Sequence, residues 1–62
     1  MKLHESITFE RLEEIIMNDE YIGFCVKCGA ERECCEPDAN HYQCDECGKL
    51  SVFGAEELLF HL

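Results

Sequence analysis

The cysteines are the residues of this chain whose type and spacing could do chemistry. Four of the six form a Cys-x2-Cys-x15-Cys-x2-Cys pattern, at Cys25, Cys28, Cys44 and Cys47. Two cysteines three positions apart in a tight turn can direct both sulfurs to one point, and two such turns facing each other complete a tetrahedron. Because sulfur fills all four positions, no vacancy is left for water or substrate. The spacing therefore predicts one structural Zn²⁺ per chain.

The residues around each cysteine pair repeat. Phe24-Cys25-Val26-Lys27-Cys28-Gly29 is echoed by Gln43-Cys44-Asp45-Glu46-Cys47-Gly48. The residue after the second cysteine often needs a left-handed backbone, which glycine adopts without a steric cost. We expect each half to consist of a strand, a cysteine pair, a glycine and a returning strand.

Three alternatives to this zinc site are open. Two redox Cys-x-x-Cys motifs would need a thioredoxin-like βαβ context, for which 62 residues are too few. Iron can occupy paired loops of this kind, as in rubredoxins, although those usually carry a proline that neither loop has here. A histidine could replace one cysteine, and His41 is a nearer candidate than His4 or His61.

Cys34 and Cys35 are two further thiols outside the pattern. They could act as a redox sensor or as an alternative ligand pair. Successive side chains of a strand point to opposite faces, so adjacent cysteines do not easily bind the same ion. The neighbouring Glu33 and Glu36 would raise a thiol pKa and lower its reactivity. We expect one cysteine packed inward and the other exposed.

Length and charge restrict the classes of function. A chain of 62 residues holds one domain and buries too little surface to fold without a staple. The formal charge is −9, and zinc bound by four thiolates would bring it to about −11. Such a field repels nucleic-acid phosphates and favours basic or neutral partners. No signal-peptide run or membrane span is visible, so we expect a cytoplasmic protein with reduced thiols.

An N-terminal helical segment is predicted over residues 1–19, with the helix itself at 7–18. Thr8 can cap it, and Ile7 and Leu12 can form a hydrophobic staple around the cap. An apolar stripe recurs at helical spacing and is expected to pack against the ribbon, with a partner-binding face as the alternative. The stripe consists of Phe9, Leu12, Ile15 and Ile16.

Residues 20–53 are predicted to form the ribbon, and 54–62 a short C-terminal helix. Strands are expected at 21–24, 30–35, 41–43 and 50–53, with a turn at Pro37-Asp38-Ala39-Asn40. The acidic cluster Glu31, Glu33 and Glu36 is expected to be solvated. The final helix, at 55–61, carries large apolar residues on most sides, so part of it should stay exposed. These residues are Leu58, Leu59, Phe60 and Leu62.

Residues 21–59 resemble the small, uncharacterised zinc-ribbon proteins of bacteria and their viruses. The similarity lies in Tyr21-Ile22-Gly23-Phe24-Cys25, both Cys-x-x-Cys-Gly loops, Glu36-Pro37-Asp38-Ala39 and Gly54-Ala55-Glu56-Glu57-Leu58-Leu59. It covers about two thirds of the chain. The resemblance implies a zinc-ribbon fold with metal at the four spaced cysteines, but it implies no activity. Cys34-Cys35 departs from the small or aliphatic residues expected there.

Two classes of function follow from these features. The first is a protein-interaction module, in which a zinc-stabilised α+β scaffold presents an acidic, partly apolar surface to a protein partner or to a second copy. The alternative is a nucleic-acid-binding zinc ribbon with a regulatory role, and Lys27 and Lys49 near the two loops are its best support. The overall charge makes nucleic acid the weaker choice. No paired carboxylates, phosphate-binding glycine loop or activated nucleophile indicates an enzyme.

Overall fold

A computed structural model describes residues 2–61 of the chain. These residues form a small α+β fold of two helices and one four-stranded antiparallel sheet. The elements are α1 (Phe9–Met17), β1 (Ile22–Cys25), β2 (Glu31–Glu33), β3 (Tyr42–Gln43), β4 (Leu50–Gly54) and α2 (Ala55–Leu59). The predicted fold class is confirmed; β4 is one residue longer than predicted, and the other elements are shorter than or shifted from their predicted ranges.

Helix α1 begins and ends with the expected chemistry. The Thr8 hydroxyl accepts a hydrogen bond from the Arg11 backbone N–H at 3.2 Å, which satisfies one of the free donors of the first turn. At the other end, Asp19 adopts φ 55°, and the N–H groups of Asp19 and Glu20 return to the carbonyls of Ile16 and Ile15. This is a Schellman ending with aspartate in the position that glycine usually occupies.

The stripe on α1 is only partly buried. Leu12 and Ile15 are fully buried and Ile16 is half-buried, but Phe9 is 52% exposed. The prediction that Phe9 packs into the core is therefore wrong. Phe9 is the first residue of the helix and lies outside the buried cluster that contains Leu12 and Ile15.

The sheet joins two similar hairpins through their inner strands. Its strand order is β2-β1-β4-β3, and all three pairings are antiparallel. The central pair aligns Phe24 with Phe53 and Cys25 with Val52. Each hairpin turns at one cysteine pair, so pairing β1 with β4 brings the two turns to the same end of the sheet.

The two faces of the central strands belong to two separate cores. Phe24 and Phe53 lie on the face that packs against both helices, where Leu12, Ile15 and Leu58 are fully buried. A second, smaller core on the other side contains Cys25, Cys35, Ala39, Cys44 and Val52. The alternation of side chains along each strand separates the helix-covered face from the cysteine-rich one.

The segment between β2 and β3 is fixed to the rest of the fold by backbone hydrogen bonds. The Cys35 N–H donates to Tyr21 at 3.1 Å, and the Gly54 N–H donates to Ala39 at 3.0 Å. The carbonyl of Pro37 accepts from the Glu57 N–H in the first turn of α2. The predicted turn at residues 37–40 thus connects the ribbon with the last helix.

Helix α2 is shorter than predicted, since it ends at Leu59 rather than His61. Leu58 is fully buried, Leu59 is half-buried and Phe60 is 76% exposed, which agrees with the expectation that part of this apolar end stays exposed. The prediction for Leu62 falls outside the described residues. Phe60 is the most exposed large apolar residue at this end of the described chain.

Candidate metal centre

The structure brings the sulfur atoms of Cys25, Cys28, Cys44 and Cys47 together, all within 4.8 Å of one another. The Sγ–Sγ distances are 3.6 Å for Cys25–Cys47 and 3.6 Å for Cys28–Cys44. A regular tetrahedron with zinc–sulfur bonds of about 2.3 Å has sulfur–sulfur edges of about 3.8 Å. A disulfide would need about 2.05 Å. The arrangement can therefore hold one metal ion between four separate thiolates.

The two cysteine turns have the same backbone geometry. In the first, the Gly29 N–H donates to the Cys25 carbonyl at 2.8 Å, and in the second the Gly48 N–H donates to the Cys44 carbonyl at 2.8 Å. Gly29 and Gly48 have φ of +81° and +76°. As expected from the repeat, glycine provides the left-handed backbone that ends each turn. The internal repeat of the sequence is thus a repeat of structure.

Burial is also repeated in the two turns. Cys25 and Cys44, the first cysteine of each pair, are 0% and 3% exposed, whereas Cys28 and Cys47 are exposed. Backbone N–H groups lie close to both buried sulfurs: Cys28 N is 3.4 Å from Cys25 Sγ, and Glu46 N is 3.3 Å from Cys44 Sγ. These donors stabilise negative charge on the sulfurs that are furthest from water.

The thiols influence one another's protonation. Burial raises the pKa of Cys25, but hydrogen bonds from Ser51 and from backbone N–H groups outweigh it and lower that pKa to about 6. For Cys28, a backbone hydrogen bond from Ala30 lowers the pKa, whereas partial desolvation and the neighbouring thiols raise it to about 12. Four negative sulfurs this close repel one another unless a cation lies between them. A divalent ion supplies the missing charge, and its binding releases protons.

Ser51 is a functional residue that sequence reasoning missed. Its hydroxyl lies 3.0 Å from Cys25 Sγ, and its side chain is 5% exposed. It is therefore placed to donate a hydrogen bond to the Cys25 thiolate. The signal in the sequence is weak: a single small polar residue stands among the apolar residues of β4, at the position that Arg32 occupies in the first half of the repeat.

The extra thiols lie as expected, one inward and one outward. Cys35 is fully buried and Cys34 is exposed. A Cβ placed on Gly23 would come within 2.5 Å of Cys35 Sγ, so this thiol fills space that a glycine leaves open. Burial raises the pKa of Cys35, and the charge of Glu36 raises it further. The physical reason differs from strand alternation, because both residues follow β2 and Cys34 has φ 56°.

The histidines make other contacts. His41 has φ 58° and packs its ring edge-on against Phe53, with centroids 5.0 Å apart, so the predicted strand at 41–43 is reduced to Tyr42–Gln43. His4 Nδ1 is 2.9 Å from Ser6 Oγ, and His61 Nε2 is 3.5 Å from a Glu57 carboxylate oxygen. Among residues 2–61, the metal-binding group contains the four spaced cysteines and no histidine.

The acidic cluster does more than face solvent. Glu31 forms an ion pair with Arg11 of α1 at 3.1 Å, and Glu36 accepts a hydrogen bond from the Tyr42 hydroxyl at 2.7 Å. That hydrogen bond lowers the pKa of Glu36 and raises the pKa of Tyr42. Glu31, Glu33 and Glu36 are all exposed, as expected, and two of them also connect β2 with α1 and β3 with the preceding loop.

Comparisons with protein-family models, with curated proteins and with solved structures found no significant match to this chain. The resemblance to small zinc-ribbon proteins therefore stays a prediction from the motifs. Within residues 2–61, no helix has the length and apolar character needed to span a membrane.

Proposed function

We propose that this chain binds one zinc ion as a structural element and acts as a protein-interaction module, not as an enzyme. The observation that supports it best is the closed four-sulfur cluster, in which all sulfurs lie within 4.8 Å of one another. Four thiolates satisfy the tetrahedral coordination that Zn²⁺ prefers, and no position is left for a reacting water. A reducing compartment such as the cytoplasm would keep these thiols free.

The surface supports a protein partner. Large apolar side chains lie exposed on or beside the helices: Phe9 is 52% exposed, Met17 is 75% exposed and Phe60 is 76% exposed. Carboxylates lie beside them on the same helices, at Glu10 of α1 and Glu56 of α2. Aromatic and methionine side chains are enriched in protein interfaces, and an acidic rim favours a partner with basic residues. A second copy of the chain is the other occupant to consider for this surface.

Nucleic acid is a poorer partner for the same surface. The formal charge of −9 opposes phosphate contacts, and both arginines are engaged with carboxylates. Arg11 contacts Glu14 and Glu31, at 2.7 and 3.1 Å. Arg32 lies 3.9 Å from Asp45. We expect no measurable DNA or RNA binding at physiological salt.

The test removes the exposed apolar end without touching the metal. Deleting residues 60–62, or changing Phe60 to serine, should weaken a complex recovered by native pull-down, or a dimer seen by sedimentation, while one zinc per chain is retained. Leu50→Gln is the matched control, because Leu50 is also exposed, at 64%, but lies on β4 away from both helix ends. A complex that both Phe60 variants leave unchanged, or micromolar DNA binding at physiological salt, would refute the proposal.

A further inference from the structure

A shallow cavity beside the metal centre has a lining of opposite charge to the rest of the protein. Its volume is about 350 Å³. We call it the cationic notch, and it is lined by Lys2, Val26, Lys27, His41, Leu50, Ser51 and Phe53. No aspartate or glutamate lines it, although the chain contains fourteen.

The positively charged side chains that line the notch form no ion pairs among the described residues. It takes two of the three lysines in the sequence, Lys2 and Lys27. Among residues 2–61, neither lysine forms an ion pair, in contrast to Arg11 and Arg32. A neighbouring cavity of about 400 Å³ is also lined by both lysines, together with one carboxylate, Glu5.

The apolar part of the notch is equally distinct. Val26 and Phe53 are buried and belong to the helix-side core, so they provide a fixed base. Leu50 is 64% exposed at the start of β4. An exposed leucine beside two lysines provides an apolar contact next to a positive charge.

His41 completes the lining in an unusual conformation. Its backbone has φ 58°, which costs energy for a residue with a side chain, and such strain is more frequent at functional positions. Its ring packs edge-on against Phe53, with centroids 5.0 Å apart. Among the described residues, its ring nitrogens have no hydrogen-bond partner, so they stay available to a ligand.

We propose that the cationic notch binds a small organic anion that carries an aromatic or apolar group. The anionic group is recognised by Lys2, Lys27 and the His41 ring, and the apolar group contacts Leu50 and Phe53. Ligand pockets usually measure about 300–1,000 Å³, and this cavity lies at the lower end, which suits a ligand with a single ring. This site is independent of the protein-interaction surface proposed above.

The charge distribution favours a small anion over a polyanion. Within the screening length of about 10 Å, a ligand in the notch meets the two ammonium groups, and also Glu5 and the thiolates of the metal centre beside Ser51. A nucleic acid would extend beyond that distance and meet the surrounding carboxylates. The presence of the notch is therefore consistent with the expectation that the chain does not bind DNA or RNA measurably at physiological salt.

The notch should exist only in the metal-bound protein. Lys27 lies within the first cysteine turn, between Cys25 and Cys28, and Leu50 follows the second turn. Ser51, which also lines the notch, contacts Cys25 Sγ at 3.0 Å. The cavity is thus assembled from both halves of the repeat, and it must be tested in the zinc-loaded chain.

Phenyl phosphate is a suitable probe, titrated into the ¹⁵N-labelled, zinc-loaded full chain and followed by NMR. We expect saturable shifts centred on the amides of Lys27, His41 and Leu50, with a Kd of roughly a few millimolar or tighter for a ligand of about 11 heavy atoms. Inorganic phosphate has only the anionic group of this probe, and benzyl alcohol has only its aromatic ring. Both should bind at least about tenfold more weakly than phenyl phosphate.

Matched variants separate this site from a general charge effect. Lys2→Gln or Lys27→Gln should each raise the Kd about threefold to fivefold, since single exposed charge contacts are modest. Lys49→Gln makes the same change of charge at the third lysine, which does not line the notch, and should leave the Kd unchanged. Leu50→Gln should weaken phenyl phosphate binding and leave inorganic phosphate binding unaffected.

Four results would overturn the proposal. Shifts that do not saturate would show that no site exists. If inorganic phosphate bound as tightly as phenyl phosphate, the apolar group would contribute nothing to binding. If benzyl alcohol bound as tightly, the negative charge would contribute nothing. An effect of Lys49→Gln as large as that of Lys27→Gln would show a response to net charge and not to this cavity.

Discussion

Replacing Ser51 with alanine tests whether the metal centre depends on more than its four ligands. The change removes one hydroxyl that lies 3.0 Å from Cys25 Sγ, at a site where the side chain is 5% exposed. Water has little access to Cys25, which is 0% exposed, so no solvent molecule readily takes over the hydrogen bond. The backbone N–H of Cys28, at 3.4 Å, is a longer contact to the same sulfur.

The magnitude follows from the charge of the acceptor. A hydrogen bond to a charged group contributes about 1.5–3 kcal/mol. Losing such a contact around a metal ligand usually costs about 10–100-fold in metal affinity, which agrees with that energy. We therefore expect Ser51→Ala to raise the zinc Kd about 10–100-fold while the chain still binds one zinc and keeps its fold.

Competition with a chromophoric chelator measures this change directly. Ser6→Ala is the matched control, because Ser6 bonds to His4 and lies against the first cysteine turn without a hydrogen bond to sulfur. An unchanged zinc affinity in Ser51→Ala would refute the reasoning, since the hydroxyl would then have no effect on its sulfur. An equal loss in Ser6→Ala would mean that the effect is general destabilisation of the turn.

Three further predictions concern stability. Chelation of the zinc, or Cys44→Ser, should abolish amide NMR dispersion, because a structural zinc site contributes about 10–16 kcal/mol and a typical domain has an unfolding free energy of about 5–15 kcal/mol. Cys34→Ser should keep both the fold and the zinc. Amide dispersion that survives complete metal removal would contradict this prediction. Gly29→Ala should lower the thermal midpoint of unfolding more than Gly48→Ala. Both glycines have positive φ, but only a Cβ at Gly29 would meet the side chains of His4 and Ser6, at 2.6 Å. Equal decreases in the midpoint would show that backbone strain alone matters. Asp19→Gly should raise the unfolding free energy by about 0.5–1 kcal/mol in urea titrations, since Asp19 has φ 55°, and a loss would refute the turn assignment.

The sequence predicts most of this fold because the cysteine spacing and the repeat are strong constraints. Once Cys25, Cys28, Cys44 and Cys47 must meet, the strands on either side of each pair have to run antiparallel and lie side by side. The cap at Thr8 is equally local, because one hydroxyl and the next turn of backbone determine it. Both features depend on a few residues whose chemistry the sequence shows directly.

Contacts between distant residues were not predictable in the same way. The exposure of Phe9 depends on which parts of the fold lie against α1, and a helical pattern does not report this. The Ser51–Cys25 contact joins residues 26 positions apart, and the left-handed backbone of His41 breaks the strand that its neighbours favour. Ser51 and His41 both belong to the second half of the repeat, at positions where its residues differ from those of the first half.

The metal and the helix surface are coupled through the central strand pair. Phe24 and Cys25 are adjacent in β1, yet one packs against the helices and the other provides a metal ligand. In β4, Phe53 likewise belongs to the helix-side core, whereas the adjacent Val52 belongs to the core around the cysteines. Because the four sulfurs hold β1 and β4 together, loss of metal should also disperse the residues on which α1 and α2 pack. A partner that binds the helices would then lose its surface along with the zinc, so binding measured on metal-free chain would report folding and not recognition. Only variants that keep the zinc, such as Phe60→Ser, can separate the two.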